Sequence, residues 1–161
     1  FGVDMEQRTQ QYLNEYLASL TEIDRQRYTS FSADYFCNDE VNANRCADLI
    51  SKGIKTATCS MKYWYESGAE PMPKAGHLLV VTNWSGEPTS IVEITAVSEC
   101  KYADVTAEFA CSEGEGDRTL DWWRAAHWDF FLNECLTAEI DINEDMMLVL
   151  EHFQVVHGAA A

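Results

Sequence analysis

Lysine, hydroxyl and thiol side chains crowd into the stretch GIKTATCS, residues 53–60. Thr56, Thr58 and Ser60 recur two apart, as on one face of a β-strand, and Lys55 stands at the entrance of that strand. A lysine there has two readings. It is a solvated side chain beside a β-forming threonine run, or it is the charged or proton-accepting half of a Lys/Thr pair. In the second reading a desolvated lysine takes the proton of a hydroxyl nucleophile. Left charged, it stabilises a developing oxyanion instead. A carboxylate nearby would hold the lysine or the attacking water and shuttle the proton, which brings in the acids at 93 and 113. Positions 55 and 58 are an odd number apart, so a regular strand would point them to opposite faces. The pairing therefore requires Lys55 to sit on the turn before the strand, which Gly53 permits.

Other chemistries lack their signatures. Six cysteines (37, 46, 59, 100, 111 and 135) show no CxxC spacing, and the four histidines form neither HxxxH nor HxH, so no metal is expected. DINED (141–145) opens like a calcium loop but has Met146 where glycine is needed and His152 where the closing glutamate belongs. No GxxxxGK[ST] phosphate loop, Rossmann glycine turn or GxSxG elbow occurs, and no cofactor is expected.

The elements that must position these residues are legible from periodicity. Tyr12, Leu13, Tyr16, Leu17 and Leu20 give an amphipathic helix over 4–20, and a short helix follows near 22–29. A third helix over 39–52 is capped by Asn38 or Asp39 and stopped by Gly53. Strands are expected at 55–61, 77–84 and 89–97, the last two joined as a hairpin by SGEP, with 71–76 a loop. A short helix over 104–110, a helix over 118–135 capped by Asp117, and a closing strand over 146–156 complete the chain. Strands interrupted by helices without βαβ alternation indicate an α+β fold around a small mixed or antiparallel sheet.

Length and charge narrow the function. The 161 residues suit one domain, and 47% hydrophobic content with 12% aromatic fits a packed core. No apolar run is long enough to span a bilayer, and FGVDMEQRTQ lacks the features of a secretion signal, so a cytoplasmic protein with reduced thiols is expected. The net charge of −16, from 27 acidic against 11 basic residues, opposes binding of DNA or any extended polyanion.

Three segments together carry a resemblance: LISKGIKTATCS, GHLLVVTNWSGEPTSIVEITAV and FACSEGEGDRTLDWWRAAHWDFF. They look like an ASCH-domain protein of the longer bacterial type, over roughly residues 30–155. The resemblance implies a PUA-like mixed β-barrel decorated with helices, with a cleft lined by GIKTAT. The expected organisation is a single domain over 1–158, with 1–29 a helical extension and 159–161 a tail. It also implies a link to RNA, while similar family members are amidohydrolases that deacylate N4-acylated cytidine and another is described as a ribonuclease. Carried over, the amidohydrolase catalytic set falls on Lys55, Thr58 and Glu113, with Glu115 the fallback for the acid. Glu93 also has a counterpart in the family. Where the small amidohydrolases continue with an arginine and an acid, this chain has Cys59 and Ser60.

The leading expectation is a metal-independent amidohydrolase acting on a small modified nucleoside or nucleobase, with Thr58 as nucleophile, Lys55 as base and Glu113 as proton shuttle. Substrate contacts are expected from Glu93, Ser60 and Arg124, and base stacking from Tyr63 or Trp64. Cys59 is the rival nucleophile, with the inert buried thiol as its commoner state. An RNA-binding module or ribonuclease, its cleft ringed by Lys52, Lys55, Lys62, Lys74, Arg118 and Arg124, is the alternative. A non-catalytic modified-nucleoside sensor is the third reading.

Overall fold

The computed structural model describes residues 6–158. Helix α1 (Gln7–Ser19) buries Thr9, Leu13 and Tyr16 along one face, and α2 (Glu22–Gln26) follows from a cap in which Thr21 accepts from the Asp24 amide. Positions 4 and 5 of the expected first helix, and the tail 159–161, lie outside the described residues. Strand β1 (Phe31–Asp34) precedes α3 (Glu40–Ser51), whose N-cap Asp39 accepts from the Asn42 amide at 2.9 Å. Gly53, at φ +73°, turns the chain out of α3 in the left-handed region that glycine adopts without penalty. Then come β2 (Ala57–Met61), the single-turn α4 (Tyr63–Glu66), β3 (Leu78–Thr82) and the long β4 (Pro88–Lys101). A 3-10 turn (Tyr102–Asp104), α5 (Ala107–Glu113), α6 (Leu120–Ala138) and β5 (Met147–His157) end the fold.

The five strands form one mixed sheet in the order β1-β3-β4-β5-β2, parallel between β1 and β3 and antiparallel elsewhere. Strands β3 and β4 are the expected hairpin. Register shifts at Ile91/Val92 and Ile94/Ala96 break the long β4–β5 ladder, and such bulges bend a strand and tighten its twist. Helices cover the sheet in three apolar clusters. Leu13 and Tyr16 of α1 pack on Leu78, Val80 and Ile91; Ala47 and Ile50 of α3 pack on Val81, Val92 and Phe153. The largest cluster joins Ala57 and Met61 of β2 to Phe109, Trp123 and Phe131 of α5 and α6. This is an α+β fold, as expected.

The cap of α6 differs from expectation. Thr119, not Asp117, accepts from the Trp122 amide at 3.2 Å. Asp117 lies two residues further out and accepts from both the amide and hydroxyl of Thr119, at 2.9 and 2.6 Å, fixing the capping residue.

Three elements clamp the segment that leads into β2. The amides of Ile54 and Lys55 both donate to the Leu49 carbonyl of α3, at 2.9 and 3.1 Å. The Thr56 amide donates to Ser112 in α5 at 2.8 Å, and the Thr56 carbonyl accepts from Phe153 of β5 at 3.0 Å. Lys55 therefore stands on a rigid turn ahead of the strand.

Candidate active site

That turn directs the Lys55 side chain inward, where it is 1% exposed. Its ammonium donates to Glu113 Oε1 and Glu115 Oε2, both at 3.0 Å, to the Ala57 carbonyl at 2.9 Å and to the Glu113 carbonyl at 3.3 Å. The Phe36 ring centroid lies 5.8 Å away, within cation–π range. Burial pushes the Lys55 pKa down, but the Glu113 and Glu115 carboxylates push it up further, so the side chain rests as an ammonium.

Glu113 ends α5, and its side chain is 2% exposed. Its second oxygen, Oε2, accepts from the Trp123 indole and lies 3.0 Å from His127 Nε2 and 3.5 Å from Cys59 Sγ. Burial alone would raise this carboxyl; Lys55, then His127 and Trp123, outweigh it and hold the pKa well below the carboxylate range. His127 stacks on Trp123 with ring centroids 4.2 Å apart, and its Nδ1 lies 2.9 Å from the Trp123 carbonyl. Both ring nitrogens face oxygen atoms, Nε2 the Glu113 carboxylate and Nδ1 the Trp123 carbonyl.

Gly114 makes the close approach possible. It caps α5 at φ +74°, and a β-carbon there would lie 2.5 Å from the Ile54 carbonyl oxygen and 2.8 Å from Lys55 Cα. Only glycine lets the chain that carries both glutamates run against the lysine turn.

Alternation along β2 sorts the remaining residues. Ala57 and Met61 enter the core under α5 and α6, and Cys59 points the same way, toward Glu113. Burial, and next the Glu113 charge, push the Cys59 thiol well above its ordinary pKa, which leaves it a poor nucleophile. Thr58 and Ser60 face the other side. Ser60 Oγ lies 2.6 Å from the Tyr65 hydroxyl, and Thr58 stands opposite Glu151 in the β2–β5 ladder. Glu151 was not anticipated. Its signal was a lone acid within the apolar run MMLVLEHF. Burial, with the Glu70 charge adding and Lys55 opposing, raises its pKa to about 7.

The other sequence candidates have separate partners. Glu93 accepts from the Tyr28 hydroxyl at 2.7 Å. The Trp64 indole donates to Glu134 Oε2 at 2.7 Å, and Tyr63 meets its ring edge-on at 5.3 Å while staying 37% exposed. Arg124 lines a groove of about 620 Å³ with Tyr102, Asp121, Trp128 and Glu144. Of the named set, Lys55, Glu113 and Glu115 are brought into direct contact.

Sequence comparison agrees with this architecture. The ASCH domain model matches residues 32–157, most of the chain, and the protein belongs to that family, whose fold is PUA-like. Its structure superposes on the crystal structure of an ASCH domain from Lactobacillus crispatus JV V101 with a TM-score of 0.94. The two are 55% identical over 98% of this chain and 99% of that one. A crystallised protein of Enterococcus faecalis V583 matches with a TM-score of 0.75 and 29% identity, over 92% of this chain and 85% of that one. Comparison with curated proteins gave no significant match. Among the described residues, no helix is long and apolar enough to cross a membrane.

Proposed function

We propose that the protein is an amidohydrolase that removes the N4-acyl group from a modified cytosine nucleoside. The observation that carries this reading is the fully buried Lys55–Glu113 pair at the head of the strand bearing Thr58. A charged pair withdrawn from water is costly to maintain. Strongly perturbed titratable groups cluster at functional sites, which is the ground for giving this pair a catalytic role.

The steps balance as follows. Seating of the substrate has to overcome the opposed pKa shifts of the pair and move a proton from the Lys55 ammonium to Glu113. Thr58 Oγ1, which makes no direct contact with Lys55 in the resting site, then attacks the acyl carbonyl carbon, and its proton passes through a water to the amine of Lys55. The C–N bond breaks, Glu113 protonates the departing exocyclic nitrogen, and the acyl group stays on Thr58 as an ester. Water, deprotonated by Glu113, cleaves that ester, Lys55 returns a proton to the Thr58 oxygen, and Glu113 gives its proton back to Lys55 as the product leaves. Net, one amide and one water give an amine and an acid. Thr58 faces away from Cys59, so the carbonyl approaches along the edge of the sheet, where β2 is the terminal strand. Exposed Tyr63 is the candidate for stacking on the base; Trp64 is committed to Glu134.

Charge supports a small neutral substrate over RNA. Three of the lysines that would ring an RNA cleft are already matched: Lys52 with Asp48 at 2.8 Å, Lys62 with Glu99 at 2.6 Å, and Lys55 inside the core. Turnover of N4-acetylcytidine by the purified protein, alongside Lys55→Ala and Thr58→Ala, tests the proposal. Cytidine formed by the parent protein and by neither variant supports it. No turnover of several N4-acyl cytidines by folded protein would overturn it and direct the same variants to a labelled-RNA cleavage assay.

A further inference from the structure

Glu115, at the edge of the lysine cluster, also reaches two cysteines that the hydrolysis does not use. Cys46, on the buried face of α3, has its sulfur 3.4 Å from Cys37 Sγ and 3.5 Å from Glu115 Oε1. The three ligand atoms all lie within 4.8 Å of one another. We propose that Cys37, Cys46 and Glu115 form a binding site for a thiophilic divalent cation, zinc foremost, with the fourth position left to water.

The spacing is that of a coordination shell. Zinc bonds of about 2.3 Å to sulfur and about 2.0 Å to oxygen, at tetrahedral angles, set sulfurs about 3.8 Å apart and sulfur and oxygen about 3.5 Å apart. The Cys46–Cys37 and Cys46–Glu115 contacts reach that geometry with a shift of a few tenths of an ångström, and Cys37 and Glu115 lie within 4.8 Å of each other. Two sulfurs select soft or borderline metals over magnesium and calcium, which demand oxygen shells. Glu115 is divided suitably for the task. Oε1 faces the sulfurs, while Oε2 accepts from Lys55, the kind of outer partner that fixes a ligating carboxylate. Two thiolates and a carboxylate around a divalent ion leave one negative charge, next to the Lys55 ammonium from which Glu115 also accepts.

The backbone adds an independent observation. Cys37 adopts φ +69°, a left-handed conformation that a non-glycine residue holds only when its surroundings impose it. That conformation keeps its sulfur against Cys46. Cys37 and Glu115 are half-buried while Cys46 is buried, so an ion can enter from one side onto a ligand fixed in a helix. The neighbouring trio Cys59, Glu113 and His127 is also closely grouped but has no vacancy. Lys55, Trp123 and His127 already occupy both Glu113 oxygens, and His127 Nδ1 is turned to a backbone carbonyl.

The test needs no substrate, so its outcome is separate from that of the amidohydrolase assay. Metal-free protein kept reduced with a phosphine is titrated with Zn²⁺ by calorimetry and with Co²⁺ by absorption. The expected result is one tight equivalent of Zn²⁺ and a Co²⁺ spectrum with sulfur-to-metal charge transfer and tetrahedral bands. Cys37→Ser and Cys46→Ser should each weaken binding at least about a hundredfold, since loss of an outer-shell partner alone costs roughly 10–100-fold. Glu115→Gln, which keeps the side chain's shape, should also weaken it, and exposed Cys111→Ser should change nothing. Circular dichroism confirms that each variant is folded. Absence of a stoichiometric site, a Co²⁺ spectrum without the sulfur band, or equal uptake by folded Cys37→Ser and Cys46→Ser would overturn the proposal.

Discussion

Lys55 Nζ lies 3.0 Å from Glu113 Oε1, and neither side chain exposes more than 2% of its surface. The two residues are joined across 58 positions of sequence, and the contact ties the turn after α3 to the last residue of α5. A buried ion pair adds little net stability, because desolvation consumes most of the Coulomb attraction. Its loss on one side is another matter.

Replacing Lys55 with methionine strands Glu113 in the core. The expected destabilisation is roughly 3–5 kcal/mol, the range for orphaning one partner of a buried pair. Glu113→Gln should cost less, because Lys55 keeps Glu115 and the Ala57 carbonyl. Urea unfolding of the two variants measures the asymmetry. Equal losses would mean that Glu115 does not stand in for Glu113.

Thr58 and Cys59 separate the two possible nucleophiles. Thr58→Ala should lower the rate of N4-acetylcytidine hydrolysis by several orders of magnitude, as loss of a nucleophile does. Cys59→Ser should leave most of it, because burial already holds that thiol protonated. Steady-state kinetics on both variants decides the assignment, and a dead Cys59→Ser with an active Thr58→Ala would transfer the role to the thiol.

How much of this was readable in advance depended on whether the signal was local. Gly53 after an apolar helical stripe foretold the stop of α3, and so the turn on which Lys55 sits. Strand β1 and helix α4 escaped notice because four residues are too few to show a period. Strand β4 runs on to Lys101 past its expected end at 97, since the polar tail Ser98–Lys101 pairs with Met147–Leu150 of β5. Glu113 came from family resemblance; nothing in its spacing from Lys55 announces the contact. Cys37, Cys46 and Glu115 come from a loop, a helix and a different loop, so motif spacing carries no trace of their meeting. Glu151 hid in a strand whose pattern describes burial and says nothing of which polar residue is buried with it.

Gly114 and Gly53 share a left-handed backbone but differ in surroundings. A β-carbon at Gly53 meets nothing within 4 Å, so Gly53→Ala should cost only the conformational penalty of about 1–2 kcal/mol. At Gly114 the same change adds the clash with Ile54 and Lys55, so its destabilisation should be clearly larger. Activity should fall with it, because the turn bearing Lys55 must move. Thermal unfolding of the two alanine variants, compared side by side, checks the difference, and equal shifts would remove the close approach as a constraint.

Glu151 makes stability depend on pH in the direction opposite to most carboxylates. Burial raises its folded-state pKa to about 7 from an ordinary 4.5, with Glu70 adding to the rise and Lys55 opposing it. Tyr65 also faces it, and its own hydroxyl is pushed up to about 12, chiefly by burial. Between about 4.5 and about 7 the native protein binds more protons at Glu151 than the unfolded chain does. The contribution therefore falls as pH rises from about 4.5 to about 7 and is flat above. Glu151→Gln removes the ionisation and keeps the shape. Subtracting its urea-derived stability from that of the parent at a series of pH values isolates the site from every other titrating group. The variant should gain on the parent across that window and hold its advantage at pH 8; a difference that does not vary with pH would mean that Glu151 ionises in the folded protein as freely as in the unfolded one.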